Sequence, residues 1–294
     1  MNFLSGFIAI TGPPNVGKST LLNRILGEKL TIVSPKPQTT RNRIIGVYHG
    51  DGYQMVFMDT PGIHKTRTAL HKSMVGSALA AVHEVDILIL MIEMNRYDDP
   101  EISSIVGDLT RTKKPCFLVI NKIDQGPREQ LLPIIDHYGH RQQFDAIIPV
   151  SARDGDGMDT LLGELKSWLR PGGRLFPMDM KTDRSDSFLA SEIIREKIYL
   201  LTRNELPYSS AVTVEKMAEI PGKDILTIAA RIYVETNSQK GIIIGEKGRM
   251  IKTIGRSARL ELEKLFGVRV FLSLLVRVER NWSKDTRALR RLSY

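Results

Sequence analysis

The sequence contains one cysteine among its 294 residues and no apolar run that approaches the length needed to cross a membrane. A single cysteine excludes a disulfide framework. Cys116 lies in an apolar, strand-like run, so we expect a buried thiol in a reducing cytosol. The longest apolar run, residues 85–92, already contains Asp86. The first predicted strand begins within a few residues of Met1, so we expect no signal peptide.

Excess charge of one sign is also absent from most of the chain. The net charge is +9, yet residues 1–236 hold 28 Lys or Arg and 28 Asp or Glu, whereas residues 237–294 hold 14 and 5. A basic surplus confined to one end predicts a polyanionic partner there. With 42% hydrophobic and 26% charged residues the composition is that of a globular protein, and the length favours two domains.

A phosphate-binding pattern lies close to the start of the chain. Residues 12–19 have the spacing G-x-x-x-x-G-K-S, between a strand-like run at 7–11 and leucines at helical spacing in 20–26. The glycines let backbone N–H groups surround phosphate oxygens, Lys18 supplies a positive charge, and the Ser19 hydroxyl can bind Mg²⁺. The residues predicted to bind nucleotide here are Gly12, Pro13, Pro14, Asn15, Val16, Gly17, Lys18, Ser19 and Thr20.

Two later segments complete the predicted triphosphate site. Residues 34–41 are polar and proline-rich and are predicted to form a loop, in which Thr40, or alternatively Thr39, supplies a second Mg²⁺ ligand. A predicted hairpin at residues 43–58 leads to a carboxylate that can hold a Mg²⁺-bound water, and to a glycine whose amide can reach the γ-phosphate. This second group of predicted site residues is Asp59, Thr60, Pro61, Gly62 and Ile63.

The base is predicted from two more strand ends. The string N-K-x-D, with Asn121, Lys122 and Asp124, follows a strand-like run at residues 115–120. A carboxylate accepts hydrogen bonds from two adjacent donors, and guanine offers such a pair, N1–H and N2–H₂, whereas adenine does not. Asn121 is expected to brace the loop and the Lys122 stem to cover the base. After the run at 146–150, backbone amides at Ser151 and Ala152 could contact the guanine O6.

Five motifs in this order, each following a predicted strand, resemble the small GTP-binding domains of the Ras-like P-loop class over residues 1–170. The resemblance implies an α/β fold with a mostly parallel sheet and helices on both faces. It also implies Mg²⁺-dependent GTP hydrolysis, with Lys18, Asp59 and Gly62 as the catalytic residues. Ile63 stands where a Ras-like enzyme carries a glutamine that orients water, so slow intrinsic turnover is predicted. Asn15 matches the asparagine with which related GTPases bind K⁺, which suggests stimulation by potassium.

After a predicted linker at residues 171–187, the elements of residues 188–294 have the order α-β-β-α-α-β. The string I-G-x-x-G-x-x-I lies between the two inner helices, and this arrangement resembles a type II KH domain, an α+β fold that favours single-stranded RNA. The glycines allow a tight turn close to a nucleic-acid backbone, and a basic face continues along the next helix. The predicted RNA-binding residues are Gly245, Glu246, Lys247, Gly248, Arg249, Lys252, Arg256 and Arg259.

The two domains together resemble the Era family of bacterial GTPases over nearly the whole chain. The strings that carry this resemblance include Q-T-T-R at 38–41, D-T-P-G-I-H at 59–64, E-L-P-Y-S at 205–209 and N-W at 281–282. The resemblance implies a cytoplasmic monomer that assists ribosome biogenesis at the small subunit. It further implies binding near the 3′ end of 16S rRNA, RNA binding favoured by GTP, and a fraction of the protein at the membrane periphery. The fifth motif ends in Arg153, where lysine or leucine is more usual.

Two other functions are compatible with parts of the sequence. The basic end could bind an anionic membrane surface, which would make the chain a GTPase that acts mainly at the membrane. Alternatively, the chain could be an RNA-binding protein with a vestigial nucleotide site. The intact set of Lys18, Ser19, Asp59 and Asp124 argues against the second alternative.

Overall fold

A computed structural model describes residues 3–36, 39–60, 74, 76, 80–139, 144–203 and 206–292. The described residues form two compact units. Of the described residues, those as far as Thr31 and those between Thr40 and Asp183 belong to the first unit, whereas those of Ile32–Thr39 and those from Arg184 onwards belong to the second. A short stretch near the start of the chain therefore packs with the second unit rather than the first.

The first unit is built on a seven-stranded sheet with the order β2-β3-β1-β4-β5-β6, in which β7 also pairs with β1. All neighbours are parallel except β2 with β3 and β7 with β1. This mostly parallel sheet confirms the predicted fold class. The strands are β1 (Leu4–Thr11), β2 (Ile44–Gly50), β3 (Tyr53–Asp59), β4 (Ile87–Glu93), β5 (Cys116–Asn121), β6 (Ala146–Pro149) and β7 (Arg170–Pro171).

Helices cover both faces of this sheet. Helices α1 (Lys18–Leu26) and α4 (Met158–Ser167) contribute to one apolar cluster, and α2 (Pro100–Thr110) and α3 (Leu131–Gly139) to the other. The sequence of strand β4 is continuously apolar because its alternate side chains enter the two clusters in turn. Residues 80–84 are also helical, and 3₁₀ turns follow β4 and β5.

The second unit has the element order α-β-β-α-α-β that the sequence predicts. Its three-stranded sheet has the order β10-β9-β8, with β10 parallel and β8 antiparallel to β9. A short helix, α8, follows in the basic tail, where the sequence predicts none. The elements are α5 (Asp186–Leu201), β8 (Ala211–Glu219), β9 (Ile225–Val234), α6 (Asn237–Ile244), α7 (Arg249–Phe266), β10 (Arg269–Val278) and α8 (Thr286–Arg291).

The stretch expected to be a linker, residues 171–187, lies in large part along the edge of the first sheet. The Val47 N–H on β2 donates to the Lys181 carbonyl at 2.8 Å. The Gln54 side chain, which is fully buried, donates to the Phe176 carbonyl at 2.9 Å and accepts from the Phe176 N–H at 3.0 Å. This part of the chain is therefore tied to the first unit by backbone pairing and by one buried amide.

The single cysteine lies on β5 and is 6% exposed. Burial raises the pKa of the Cys116 thiol to about 12, which keeps the thiol protonated and unreactive near neutral pH. Of the helices formed by the described residues, none combines the length and the apolar character needed to cross a bilayer.

Candidate nucleotide and nucleic-acid sites

The segment from the end of β1 into the first turn of α1, residues 12–19, is shaped by two glycines with positive φ. Gly12 has a φ of 144°, and a Cβ there would lie 2.2 Å from the Met91 carbonyl oxygen. Gly17 has a φ of 103°, and a Cβ there would lie 2.3 Å from Nδ2 of Asn121. Because Gly17 immediately precedes α1, the loop directs backbone N–H groups and the positive end of the helix to one place.

Lys18 is buried inside this loop, which we call the phosphate loop. Its ammonium donates to the carbonyl oxygens of Gly12, at 3.0 Å, and Pro13, at 2.8 Å. Burial lowers the pKa of Lys18 to about 8, and the negative charge of Asp59 partly opposes this shift. The ammonium is thus a donor held among carbonyl oxygens of the loop that is predicted to bind phosphate.

Three side-chain oxygens converge beside Lys18. Ser19 Oγ donates to Asp59 Oδ2 at 2.7 Å and lies 2.9 Å from Thr40 Oγ1, which itself lies 3.5 Å from Asp59 Oδ2. Two hydroxyls and one carboxylate are hard oxygen donors of the type that Mg²⁺ prefers. Thr39 is arranged differently, since its hydroxyl donates to the Lys36 carbonyl at 2.8 Å. The donor set therefore fits Mg²⁺ and favours Thr40 over Thr39.

Burial raises the pKa of Asp59 to about 6, against the opposing effects of the Ser19 hydrogen bond, the Lys18 charge and the Thr40 hydrogen bond. A bound cation would favour the ionised carboxylate. Thr60 follows it and donates from its hydroxyl to the Ile10 carbonyl at 2.8 Å, so its side chain points into the sheet. The other residues predicted for this segment, Pro61, Gly62 and Ile63, lie outside the described residues.

Asn121 joins three loops at the carboxyl edge of the sheet. Its Nδ2 donates to the Val16 carbonyl of the phosphate loop at 2.7 Å, and its Oδ1 accepts from the Ala152 N–H at 2.9 Å. The side chain is 3% exposed, so both bonds lie out of water. Asn121 thus braces the loops that carry the phosphate and base contacts rather than offering its own atoms to a ligand.

Asp124 lies next to Ser151 in the neighbouring loop. Ser151 Oγ donates to Asp124 Oδ1 at 2.7 Å, and the Arg153 guanidinium pairs with Asp124 Oδ2 at 3.0 Å. The side chain of Asp124 is 8% exposed and that of Arg153 66% exposed. The carboxylate is consequently oriented by one buried partner, Ser151, and paired with one exposed partner, Arg153.

The structure also shows two residues that the sequence analysis missed. The Arg24 guanidinium, on α1, donates to the carbonyl oxygens of Ala152, at 3.2 Å, and Arg153. Glu93, at the end of β4, pairs with the Lys122 ammonium at 2.8 Å. Both hold base-side loops in place. The sequence offered no signal for either, because their partners are a backbone carbonyl or a residue far along the chain.

In the second unit, residues 245–248 form the predicted G-x-x-G loop between α6 and α7. Gly245 has a φ of 70°, and a Cβ there would lie 2.7 Å from the Met250 Cβ. Gly248 has a φ of 78° and immediately precedes α7. Lys247 also has a positive φ, of 49°, and its side chain is exposed. The loop therefore carries an exposed charged residue, Lys247, between two glycines that have no side chains to cover the backbone.

Helix α7 has the two faces that its sequence predicts. Ile254, Ala258 and Leu262 are fully buried in the core of the second unit. The basic face, defined as Arg249, Lys252, Arg256 and Arg259, is exposed along its whole length. A basic stripe that continues from a glycine loop provides a path for a phosphate backbone.

The family models match these two halves separately. Residues 7–122 match the model described as 50S ribosome-binding GTPase, and residues 205–283 match the KH domain model. The GTPase Era of Syntrophus aciditrophicus is 51% identical over 292 residues, which cover 99% of this chain and 95% of that protein. The chain belongs to the Era family of GTPases. The Era protein of Geobacter metallireducens is 50% identical, with coverage of 99% and 98%.

Solved Era structures agree with the fold over the whole chain. A variant of Aquifex aeolicus Era bound to GDP·AlF₄⁻ is 39% identical, with a TM-score of 0.96 and 99% of each chain covered. An Era structure in complex with MgGDPNP and nucleotides 1506–1542 of 16S ribosomal RNA matches with the same identity, TM-score and coverage. As a member of this family the protein is a GTPase with a P-loop domain and a KH domain.

Proposed function

We propose that this Era-family protein is a Mg²⁺-dependent GTPase switch that binds single-stranded rRNA near the 3′ end of 16S rRNA and assists assembly of the small ribosomal subunit. The observation that carries the proposal is the exposed G-x-x-G loop, with its basic face on α7, in the same chain as the phosphate and base loops. A relative of the same architecture was solved with MgGDPNP and a fragment of 16S rRNA.

The nucleotide is held by the loops at the carboxyl edge of the first sheet. Backbone N–H groups of residues 12–17, with the start of α1 at Lys18 to Thr20, bind the phosphates. Asp124 accepts the N1–H and N2–H₂ groups of guanine, and Lys122 covers the base with its stem. Ser151 and Ala152 lie in the neighbouring loop, where their N–H groups donate to the Asp156 carbonyl at 3.0 Å and to Asn121 Oδ1 at 2.9 Å, so either amide would have to exchange that bond to contact the guanine O6.

Hydrolysis follows from the charges beside the phosphate loop. Ser19 and Thr40 would ligate Mg²⁺, and Asp59 would hold one of its waters. When bound, the ion neutralises the charge that builds up on the phosphoryl oxygens. Lys18 donates to those oxygens from its buried position, and the Gly62 amide is proposed to reach the γ-phosphate.

Slow intrinsic turnover is part of the proposal. The Ile63 side chain has no polar atom with which to orient a water molecule, so the rate depends on a partner or on a second cation. Asn15 lies in the phosphate loop with a positive φ of 65°, at the position with which related GTPases bind K⁺. We expect faster GTP hydrolysis in KCl than in NaCl at equal ionic strength, and equal rates would remove potassium from the mechanism.

RNA binding is assigned to the loop at 245–248 and the basic face of α7. Lys247 and the four basic residues of that face contact the sugar-phosphate backbone, while the glycines let it approach closely. The proposed partner is the small ribosomal subunit, so the protein is expected to act in the cytoplasm, and nothing in the proposed chemistry requires more than one copy of the chain.

The test is the affinity of Lys247→Ala for a single-stranded RNA with the sequence of the 16S 3′ end. We expect the Kd to rise about tenfold, because a charged contact to the RNA backbone is lost. Lys223→Ala, which removes an exposed lysine from the turn between β8 and β9, is the matched control and should leave the Kd unchanged. Vesicles of anionic lipid form the second arm. Unchanged RNA affinity together with strong vesicle binding would instead support a GTPase that acts at the membrane.

A further inference from the structure

A short segment of the chain that precedes Thr40 packs against the KH helix α5. Ile32–Thr39 belongs to the second unit, whereas Thr31 before it and Thr40 after it belong to the first. We call Ile32–Thr39 the α5-bound segment, and its described residues are Ile32 to Lys36 and Thr39. Its last residue is joined by one peptide bond to the proposed Mg²⁺ ligand.

Two side chains of α5 bind the backbone of this segment. Arg195 Nη2 donates to the Thr39 carbonyl at 2.6 Å, and the Val33 N–H donates to Glu196 Oε1 at 2.9 Å. Both side chains are buried, Arg195 at 0% exposure and Glu196 at 1%. A bond between a charged group and a backbone group, shielded from water, is stronger than the same bond at the surface.

The α5-bound segment also contacts α5 through its own lysine. The Lys36 ammonium donates to the carbonyl oxygens of Tyr199 and Thr202, at the carboxyl end of α5. A cation is favoured there because the last carbonyl groups of a helix carry partial negative charge. The Thr39 hydroxyl donates to the Lys36 carbonyl at 2.8 Å, so the lysine that binds α5 is tied directly to the residue before Thr40.

Arg195 is fixed in its direction by a second partner. Its Nε donates to Glu192 Oε1 at 2.7 Å and its Nη2 to Glu192 Oε2 at 2.5 Å, and Glu192 is 5% exposed. A buried ion pair of this kind adds little net stability compared with well-packed apolar residues. What the pair provides, and an apolar pair could not, is an N–H group aimed at the Thr39 carbonyl.

We infer that Arg195 and Lys36 are positioning residues for the GTPase reaction, which hold the α5-bound segment so that Thr40 reaches the magnesium site. The inference rests on the proposed site at Ser19, Thr40 and Asp59. GTPase loops of this kind are ordered by the γ-phosphate and its metal ion and released after hydrolysis. Losing the contacts to α5 should therefore weaken triphosphate binding and leave diphosphate binding unaffected.

Linkage makes the effect reciprocal. If the contacts with α5 favour the arrangement that binds the triphosphate, then the triphosphate must favour those contacts to the same extent. Helix α5 also contributes buried residues to the core of the KH domain. The segment is thus a covalent and hydrogen-bonded route by which the state of the nucleotide is sensed in the RNA-binding unit.

The first test uses Lys36→Met, which keeps the length of the side chain and removes its charge at a partly exposed position. The Kd values for a non-hydrolysable GTP analogue and for GDP are measured in Mg²⁺ with fluorescent nucleotides. We expect the ratio of the two Kd values to move about tenfold against the triphosphate, with the GDP value unchanged. Lys36→Arg should restore the ratio, and Lys223→Met is the control for a lysine in the same unit.

The second test reads the segment itself, through hydrogen exchange of the full chain. In the wild type, the Val33 amide should exchange more slowly with the GTP analogue than with GDP, because its bond to Glu196 is then more often formed. The double variant Glu192→Gln with Arg195→Met, which leaves no unpaired charge in the core, should abolish this difference. Its melting temperature shows whether the variant is folded.

The outcomes separate the inference from the proposed site. Equal losses of GTP-analogue and GDP affinity in Lys36→Met, or no loss of either, would overturn the positioning role. Failure of Lys36→Arg to restore the ratio would do the same. A wild-type protein that binds the analogue equally well without Mg²⁺ would count instead against the magnesium site.

Discussion

At the scale of single residues, we propose that the carboxylate of Asp124 decides which base is bound. It is oriented by the Ser151 hydroxyl and lies almost out of water. Asp124→Asn replaces one acceptor oxygen by an N–H₂ donor, which repels the amino group of guanine and suits the 2-oxo group of xanthine. We expect the affinity for GDP to fall about a hundredfold and that for xanthosine diphosphate to rise, in equilibrium binding of both nucleotides.

The matched control is Asp154→Asn, the same change in the adjoining loop. Asp154 pairs with Arg153 but its side chain is 46% exposed, so its loss should leave base preference unchanged. If Asp124→Asn keeps the preference for guanine, the carboxylate is not the group that selects the base.

The places of these residues in the fold can be predicted from the sequence for a physical reason. Each one follows a strand of a parallel sheet, and the carboxyl ends of parallel strands must meet at one edge, so spacing along the chain translates directly into position. The roles of Arg24 and Glu93 were not predictable, because each depends on which loop the tertiary fold brings beside it. Asn121 braces the loops and could be predicted because it belongs to a motif, whereas Arg24 and Glu93 belong to none.

At the scale of elements, alanine should have opposite effects on stability at two glycines, one within α6 and one just after it. Gly241 lies within α6, and a Cβ there meets no atom within 4 Å. Gly245 ends the helix with a φ of 70°, and its Cβ would lie 2.8 Å from the Met250 amide nitrogen. Gly241→Ala should stabilise the KH domain by about 0.5–1 kcal/mol, whereas Gly245→Ala should destabilise it by more than about 1 kcal/mol.

Scanning calorimetry checks both changes in the full-length protein. The transition that includes the second unit should rise by about 2–6 °C in Gly241→Ala and fall in Gly245→Ala. Shifts of the same sign in the two variants would show that the conformation of the G-x-x-G loop is not set by Gly245.

Helices and strands could be predicted where their apolar residues recur with a single regular spacing. The α-β-β-α-α-β order of the second unit is an example, and the basic face of α7 follows its sequence spacing. Helix α8 lies in a short, charged stretch whose burial depends on neighbours distant in sequence. The α5-bound segment lacks any periodicity, and its attachment relies on buried charges of a helix some 160 residues later, so a polar loop was all that its sequence could indicate.

At the scale of the whole molecule, the chain forms two units, and the second unit contains residues from two separate parts of the sequence. The expected linker is bound to the first unit as far as Asp183, while Ile32–Thr39, from the first part of the chain, packs with the second. The basic surplus lies at the other end, on the KH domain. The proposed nucleotide site thus lies in the first unit and the proposed RNA site in the second.

The proposed nucleotide-controlled switch is tested most directly by the affinity of the protein for the 16S 3′-end RNA in the two nucleotide states. The full-length protein is saturated with Mg²⁺ and either a non-hydrolysable GTP analogue or GDP, at one fixed salt concentration, since the affinity of a basic surface for RNA depends on salt. The protein should bind the RNA about tenfold more tightly with the analogue than with GDP, within the usual range of coupling between two sites. The same Kd in both states would contradict the proposed switch.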